Sequence, residues 1–328
     1  MARERLFIGI DTSCYTSSAA CVCVNGIVAE KRELLSVKEG ERGLRQSDAV
    51  FMHTRNLSSI VPELLSKVDT AKIAGIGVST RPSGREDSYM PVFLVGKLVA
   101  ESVGAALRVP VYAFTHQQGH IRAALYGSED LLGKSFRAFH LSGGTSELLG
   151  VSGTLDVKKL GGTTDINAGQ LVDRLGVLMG LPFPAGKSLE TLAVTAQNRG
   201  VLLPSSVNGL EFSFSGAETK AKTALENGAD RAETALSVYD LIARTLAKTI
   251  KNALAEGESS PYGNEFLLSG GVASSALLRS MLLKRTGGSG AVLRFGRPEL
   301  SSDNAVGAAL LAMDAAEKTT ARENPAAD

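Results

Sequence analysis

Cysteine is scarce in this chain: Cys14, Cys21 and Cys23 are the only three in 328 residues, all near the N-terminus. An odd, clustered set excludes a disulfide framework and lacks the second pair that a zinc knuckle needs. Cys21 and Cys23, two apart, read as small buried hydrophobes on one face of a strand. Charge of one sign is lacking too, with 35 basic side chains against 34 acidic and a net of +1. That balance excludes a protein built around one large basic surface, though not a local patch for RNA. No apolar run approaches the roughly 18 residues that span a bilayer. The apolar stretch before Asp11 is too short for a secretory signal. A cytoplasmic protein without membrane contact is the expectation.

What is present is an apolar fraction of 44%, enough for a sizeable core, and 35 glycines without a collagen-like period. Such an excess belongs in tight turns and close backbone approaches. The length suggests two lobes. Residues 1–135 are expected to form the first and 136–303 the second. The helix 304–318 has the option of returning to the first lobe, and 319–328 reads as a frayed tail. Leu6–Ile10 and Ala19–Val24 read as strands around a polar turn, Asp11-Thr12-Ser13. Residues 30–56 read as loop and part of a helix, and Ile73–Val78 as a strand. Leu98, Val99, Val103 and Leu107 recur at helical spacing, which predicts a core-facing helix. Val109–Phe114 is a further strand before a helix at His116–Leu125. Strands at Arg137–Leu141, Glu147–Val151 and Glu265–Leu268 alternate with helices at Asn167–Met179, around Ile242–Leu254 and at Val272–Leu283. Alternation of this kind gives an α/β fold. Leu-Ser-Gly-Gly occurs at Leu141–Gly144 and again at Leu268–Gly271, each time ending a strand, which hints at duplication.

Three of the four histidines, His116, His120 and His140, fall in one short stretch. On a helix, His116 and His120 share a face, with Cβ atoms roughly 5–6 Å apart, a spacing that suits one metal ion. The zinc-protease alternative fails, because Gln117 stands where that motif needs a glutamate base. Gly143-Gly144, flanked by Ser142, Thr145 and Ser146, predicts a nest of backbone N–H groups for phosphate or carboxylate oxygens. Gly270-Gly271 aims a helix N-terminus at an anion or nucleotide. The segment Gly180–Ser188 imitates a phosphate-binding P-loop, but has five residues between its glycines, two prolines and a helix before it. In Ser301-Ser302-Asp303-Asn304, a plain helix cap and a carboxylate for the histidine site are both open.

Together these segments resemble the tRNA threonylcarbamoyladenosine transferase family, formerly described as glycoproteases. The runs are GIDTSC (9–14), THQQGH (115–120), LSGGTSEL (141–148), NAGQLVDRLGVLMGLPFPAG (167–186), FSFSGAETK (212–220), LLSGGVASSALLRSML (267–282) and SSDNAVGAAL (301–310), in family order. The resemblance implies an actin/sugar-kinase/Hsp70-like fold with two lobes around a nucleotide- and metal-binding cleft. It implies an enzyme that moves a threonylcarbamoyl group from an acyl-adenylate to adenosine 37 of tRNA. It also implies one metal ion, iron or zinc, on His116, His120 and Asp303, with His140 at the position of a further family ligand. ATP or threonylcarbamoyl-adenylate would contact Leu141, Ser142, Gly143, Gly144 and Thr145, with Asp173, Gly186, Gly270, Gly271 and Ser275. Asp11 and Ser142 are the expected catalytic positions. Partners would be an adenine nucleotide, tRNA, and a protein of the same family or other subunits of a modification complex.

This chain departs from the family pattern in four places. A longer charged loop, Arg81–Met90, replaces a Gly-Pro-Gly turn. Thr145 stands for a His or Asn, and Ser275 for an Asn. The segment with His53 keeps only the tail of its pattern. These changes identify a divergent paralogue. The alternatives are a non-catalytic or regulatory homologue that binds nucleotide and metal, or a carbamoyl-type transferase with another acceptor. Five basic residues and no acidic one lie between Arg279 and Arg297, a candidate surface for the tRNA backbone.

Overall fold

The computed structural model describes residues 4–13, 15–36, 44–84, 88–198, 200–257 and 260–323. Cys14, Arg85-Glu86-Asp87 and the tail beyond Glu323 lie outside the described residues. The chain divides into two compact units, Met1–Ala123 with Asp303–Asp328, and Ala124–Ser302.

The first unit begins with β1 (Leu6–Ser13), β2 (Thr16–Cys23) and β3 (Gly26–Leu34), followed by α1 (Gln46–Ser66), β4 (Ile73–Arg81), α2 (Phe93–Leu107), β5 (Val111–Thr115) and α3 (His116–Ala124). Its sheet has the order β3-β2-β1-β4-β5. β1, β2 and β3 pair antiparallel, whereas β1, β4 and β5 run parallel. Every residue of β1 and β2 is buried, as central strands covered on both faces must be.

The second unit contains β6 (Phe136–Leu141), β7 (Ser146–Val151), β8 (Val157–Thr163), α4 (Ala168–Leu178), α5 (Gly186–Ala193), β9 (Ser206–Asn208), β10 (Glu211–Ser213), α6 (Ser215–Glu226), α7 (Arg231–Leu254), β11 (Glu265–Ser269), α8 (Ala276–Thr286) and β12 (Val292–Phe295). Its sheet runs β12-β11-β6-β7-β8-β10-β9. β6, β7 and β8 are antiparallel, and β6, β11 and β12 parallel. This repeats the order and directions of the first sheet, so the two Leu-Ser-Gly-Gly segments end neighbouring parallel strands. The chain closes with α9 (Val306–Glu323), which packs on β1 and β4 of the first unit. Among the described residues no helix is long and apolar enough to cross a membrane.

Several local expectations are corrected. Asp11, Thr12 and Ser13 are the end of β1 and not a turn; they pair with Ser18, Ser17 and Thr16 of β2. Their buried polar groups are held by bonds such as Thr12 Oγ1 to the Val92 carbonyl at 2.9 Å and Ser18 Oγ to the Asp11 carbonyl at 3.3 Å. Residues expected as loop form most of β3, an edge strand whose charged side chains hide its period. On α2 the core face carries Val95, Gly96, Ala100 and Gly104, while Leu98 is 65% exposed. Gly96 is there because a Cβ would lie 2.8 Å from Thr12 Oγ1. The helix expected from Val272 is interrupted: a short 3₁₀ turn ends at Ser275, whose hydroxyl then caps α8 by accepting from Leu278 N at 3.1 Å.

His53 of α1 is fully buried. Asn56 donates to Ser17 Oγ at 3.2 Å, and the same hydroxyl is hydrogen-bonded to His53 Nδ1 at 2.8 Å, while Nε2 has no partner among the described residues. Burial pushes its pKa down to about 4, against a smaller upward pull from Asp11. Between pH 6.5 and about 4 the unfolded chain protonates this imidazole and the folded chain does not. The unfolded state therefore binds more protons, and stability is lost as pH falls through that window, by about 3 kcal/mol. In His53→Asn, which keeps an acceptor for Ser17, the stability gap to wild type should narrow by that amount between pH 7 and pH 4 in urea titrations. A pH-independent gap would contradict this.

Candidate metal centre and glycine loops

β5 delivers the chain directly into α3, and the first residue of that helix is His116. Gln118 Oε1 accepts from Thr115 N at 2.9 Å and Thr115 Oγ1 accepts from Gln118 N at 3.1 Å, which fixes the helix start. Helical spacing then sets the His116 and His120 rings edge to face, centroids 4.3 Å apart. Asp303 stands just before α9, and its Oδ1 lies 3.1 Å from His120 Nε2 and 3.5 Å from His116 Nε2. One donor atom from each of the three residues falls within 4.8 Å of the others. Asn304 takes the capping role, its Oδ1 accepting from Val306 N at 3.0 Å. Asp303 is thereby left to the histidines.

Asp11, 1% exposed at the end of β1, has Oδ1 2.9 Å from His116 Nδ1. A carboxylate on Nδ1 fixes the imidazole so that Nε2 faces Asp303, the usual device for orienting a metal-ligating histidine. Burial opposes a charged His116, yet the Asp11 and Asp303 carboxylates beside it raise its pKa well above the ordinary value. Burial also opposes ionised Asp303, but both imidazoles hold its carboxyl well below the ordinary value. Asp11 is lowered too, against its burial, by His116 and by a hydrogen bond from Ser79. Two carboxylates and two imidazoles thus converge where positive charge is favoured, and the donor set suits a borderline cation.

The backbone packing around this group was not legible in the sequence. α3 and α9 cross so closely that a Cβ on Gly307 would lie 1.9 Å from the Gly119 carbonyl oxygen. α9 also rests on the sheet through glycines: a Cβ on Gly9 would meet Ala305 O at 2.0 Å, and one on Gly77 would meet Ala308 O at 2.0 Å. One turn further, buried Arg122 of α3 grips Asp314 of α9 in a bidentate pair, at 2.7 and 3.1 Å.

His140 lies in the second unit, near the end of β6, opposite Glu147 of β7 and Ser269 of β11. The loop after it is closed by Ser142 N to Thr145 O at 2.7 Å and Thr145 N to Ser142 Oγ at 3.0 Å. It sits against the N-terminus of α4: Gly169 N donates to Ser142 O at 3.2 Å, and a Cβ on Gly169 would lie 2.6 Å from Gly143 N. Gly143, Gly144 and Gly271 each face open space, where a Cβ would meet nothing within 4 Å. Gly270, with φ +93°, abuts Leu141 O, so the two glycine turns are neighbours. Asp173 Oδ1 accepts from Ala185 N at 2.8 Å, and Tyr239 donates to Gly186 O at 2.9 Å. Both hold the Pro184–Gly186 loop in place. Burial raises the Asp173 pKa against the Ala185 bond.

Residues 32–310 match the family described as tRNA N6-adenosine threonylcarbamoyltransferase. A relative of that name from Caulobacter vibrioides is 30% identical over 96% of this chain and 88% of its own length. Among solved structures, HypF of T. kodakarensis superposes with a TM-score of 0.61 at 16% identity, over 97% of this chain and 48% of its own. A ROK family glucokinase from Streptomyces griseus, in complex with glucose and AMPPNP, gives 0.54 at 14% identity, over 94% of this chain and 99% of its own. These likenesses establish the actin/sugar-kinase/Hsp70-like fold.

Because the α3–α9 crossing has no room for a methyl group, Gly307→Ala should force the helices apart. A cost of about 1–3 kcal/mol is expected for overpacking of this kind, equivalent to a fall in Tm of several degrees. Scanning calorimetry would read it, and an unchanged Tm would show that the crossing is not tight.

Proposed function

The chain belongs to the tRNA N6-adenosine threonylcarbamoyltransferase family, and from that premise we propose that it transfers a threonylcarbamoyl group from an acyl-adenylate to adenosine 37 of tRNA. The observation that carries this reading is the convergence of His116, His120 and Asp303 with Asp11 behind His116. In the reaction, N6 of the adenosine attacks the carbonyl carbon of the mixed anhydride. A C–N bond forms, the C–O bond to the adenylate phosphate breaks, AMP departs, and the N6 proton passes to solvent.

His116, His120 and Asp303 would hold an ion, iron or zinc, to which imidazole and carboxylate donors are equally suited. When bound, the ion supplies Lewis acidity toward carbamate or phosphate oxygens. Asp11 is buried against His116 and out of reach of a substrate, so it acts as a positioning residue rather than as a base. The Gly143 and Gly144 amides, beside the α4 N-terminus, would receive the phosphates of ATP or of the acyl-adenylate. Ser142 serves by closing that loop, since its Oγ already accepts from Thr145 N. The open backbone at Gly271 would admit the nucleoside. Asp173 and Ser275 contribute through the loop and the helix that they cap. Exposed Phe51 on α1 and Leu94 and Leu98 on α2 support a protein partner docking on those helices.

Purified protein incubated with unmodified tRNA, threonine, bicarbonate, ATP and an adenylate-forming enzyme should yield threonylcarbamoyladenosine by nucleoside mass spectrometry. Asp11→Asn should lower the rate by about 10- to 100-fold, as loss of a ligand-orienting carboxylate does, together with metal affinity. Product formation unaffected by Asp11→Asn would remove the positioning role, and no product with wild type would overturn the proposed reaction.

A further inference from the structure

The basic run from Arg279 to Arg297 is largely consumed by the fold. Arg279 donates to the Ala273 and Gly296 carbonyls, at 2.8 and 2.6 Å. Arg294 pairs with Glu265 and Asp130, and Arg297 stacks on the Tyr126 ring at 4.4 Å. Only Lys284 and Arg285 of that run reach a different environment, and there they meet cations that the linear sequence does not group with them. Arg244, Lys248 and Lys251 of α7 lie four and three residues apart on one helix face. With Lys284 and Arg285 of α8 they line one open cavity of about 960 Å³ in the second unit.

We propose that this α7–α8 groove is a binding surface for the phosphate backbone of the tRNA. The proposal rests on the reading that tRNA is the acceptor. Its lining holds five cations and one carboxylate, +4, in a chain whose net charge is +1, so all the rest of the protein sums to −3. Asp240 is occupied in bridging Arg244, at 2.8 Å, and Arg285. Lys248, Lys251 and Lys284 are exposed, and none has an acidic partner among the described residues. Favourable placement at helix C-termini accounts for Lys251, Lys284 and Arg285. In the body of α7, Arg244 and Lys248 donate to the Leu203 and Ser205 carbonyls, at 2.6 and 3.2 Å, contacts that leave the charge of the groove at +4. Leu236, Ala247 and Met281 form an apolar floor along which lysine stems can lie.

The chemistry of the lining selects backbone over bases. It contains no aromatic ring on which an unpaired base would stack. The row from Arg244 to Lys251 is about 10 Å long at helical rise, and successive phosphates of one strand advance about 3.4 Å along a duplex, so the row spans roughly three of them. Lys284 stands about 13 Å along α8 from its cap at Ser275, beside the Gly270-Gly271 turn. An RNA held here would be oriented by contacts outside the reacting centre, which position without reading sequence.

The test compares wild type with Lys248→Gln/Lys251→Gln/Lys284→Gln, three changes at exposed helix positions. Binding of an unmodified tRNA transcript is measured across roughly 50–200 mM salt, alongside binding of a non-hydrolysable ATP analogue. The variant should bind tRNA at least about tenfold more weakly at low salt, with a log–log slope shallower by about 1 per lysine removed, and bind the nucleotide unchanged. Equal tRNA affinity and slope in the two proteins would overturn the surface, while retained threonylcarbamoyladenosine formation would leave the reaction standing. Loss of polyglutamate binding with tRNA binding intact would overturn it in favour of an acidic protein partner. A wild type that binds no tRNA at low salt would overturn both surface and acceptor.

Discussion

The contact on which the candidate metal site depends is between two backbones, at Gly119 of α3 and Gly307 of α9. Neither residue bears a functional group, yet their approach sets where Asp303 stands relative to the His116–His120 face. α3 alone supplies two imidazoles, a spacing met on many helix surfaces. Only when α9 is pressed against α3, and through Gly9 and Gly77 against the sheet, does a carboxylate from the far end of the chain arrive within 3.5 Å of both rings. The Arg122–Asp314 pair then ties the two helices together beyond the crossing, where removing the carboxylate would leave the buried Arg122 charge uncompensated.

The electrostatics follow from that geometry. Burial would ordinarily favour discharged forms of Asp11, His116 and Asp303, but here each lies against an opposite charge. His116 is caught between Asp11 and Asp303, so the protein has built surroundings for positive charge whether a proton or an ion supplies it. The second unit uses the same sheet order for a different purpose. The glycine loop after β6 abuts the N-terminus of α4 and offers backbone amides, where the end of β1 in the first unit places the Asp11 carboxylate. One topology, repeated, thus frames the proposed cation site in one unit and the proposed anion loop in the other.

The sequence made the elements with strong signals legible: the buried aliphatic strands, the long α7, the glycine turns and the His-x-x-x-His spacing. It did not show β3 or β8, because the edge strand Gly26–Leu34 and the inner strand Val157–Thr163 carry charges that blur a two-residue period. Asp11, Thr12 and Ser13 looked like a turn because polar residues usually mark one; tertiary hydrogen bonds keep them in a buried strand instead. Leu98 matched the helical period yet faces outward, since Gly96 and Gly104 rather than leucines let α2 approach the sheet. Whether Asp303 caps the helix or joins the histidines was undecidable from spacing, because a carboxylate suits either role. The basic groove was hidden for a related reason: three of its five cations lie on α7, some 30 residues before the run that drew attention.

The central claim is that the α3–α9 crossing assembles a metal site from His116, His120 and Asp303. Elemental analysis of purified wild type beside His116→Ala/His120→Ala tests it most directly. One divalent or ferric ion per wild-type chain and essentially none in the double variant is the predicted result. Equal occupancy in the two proteins would contradict the account.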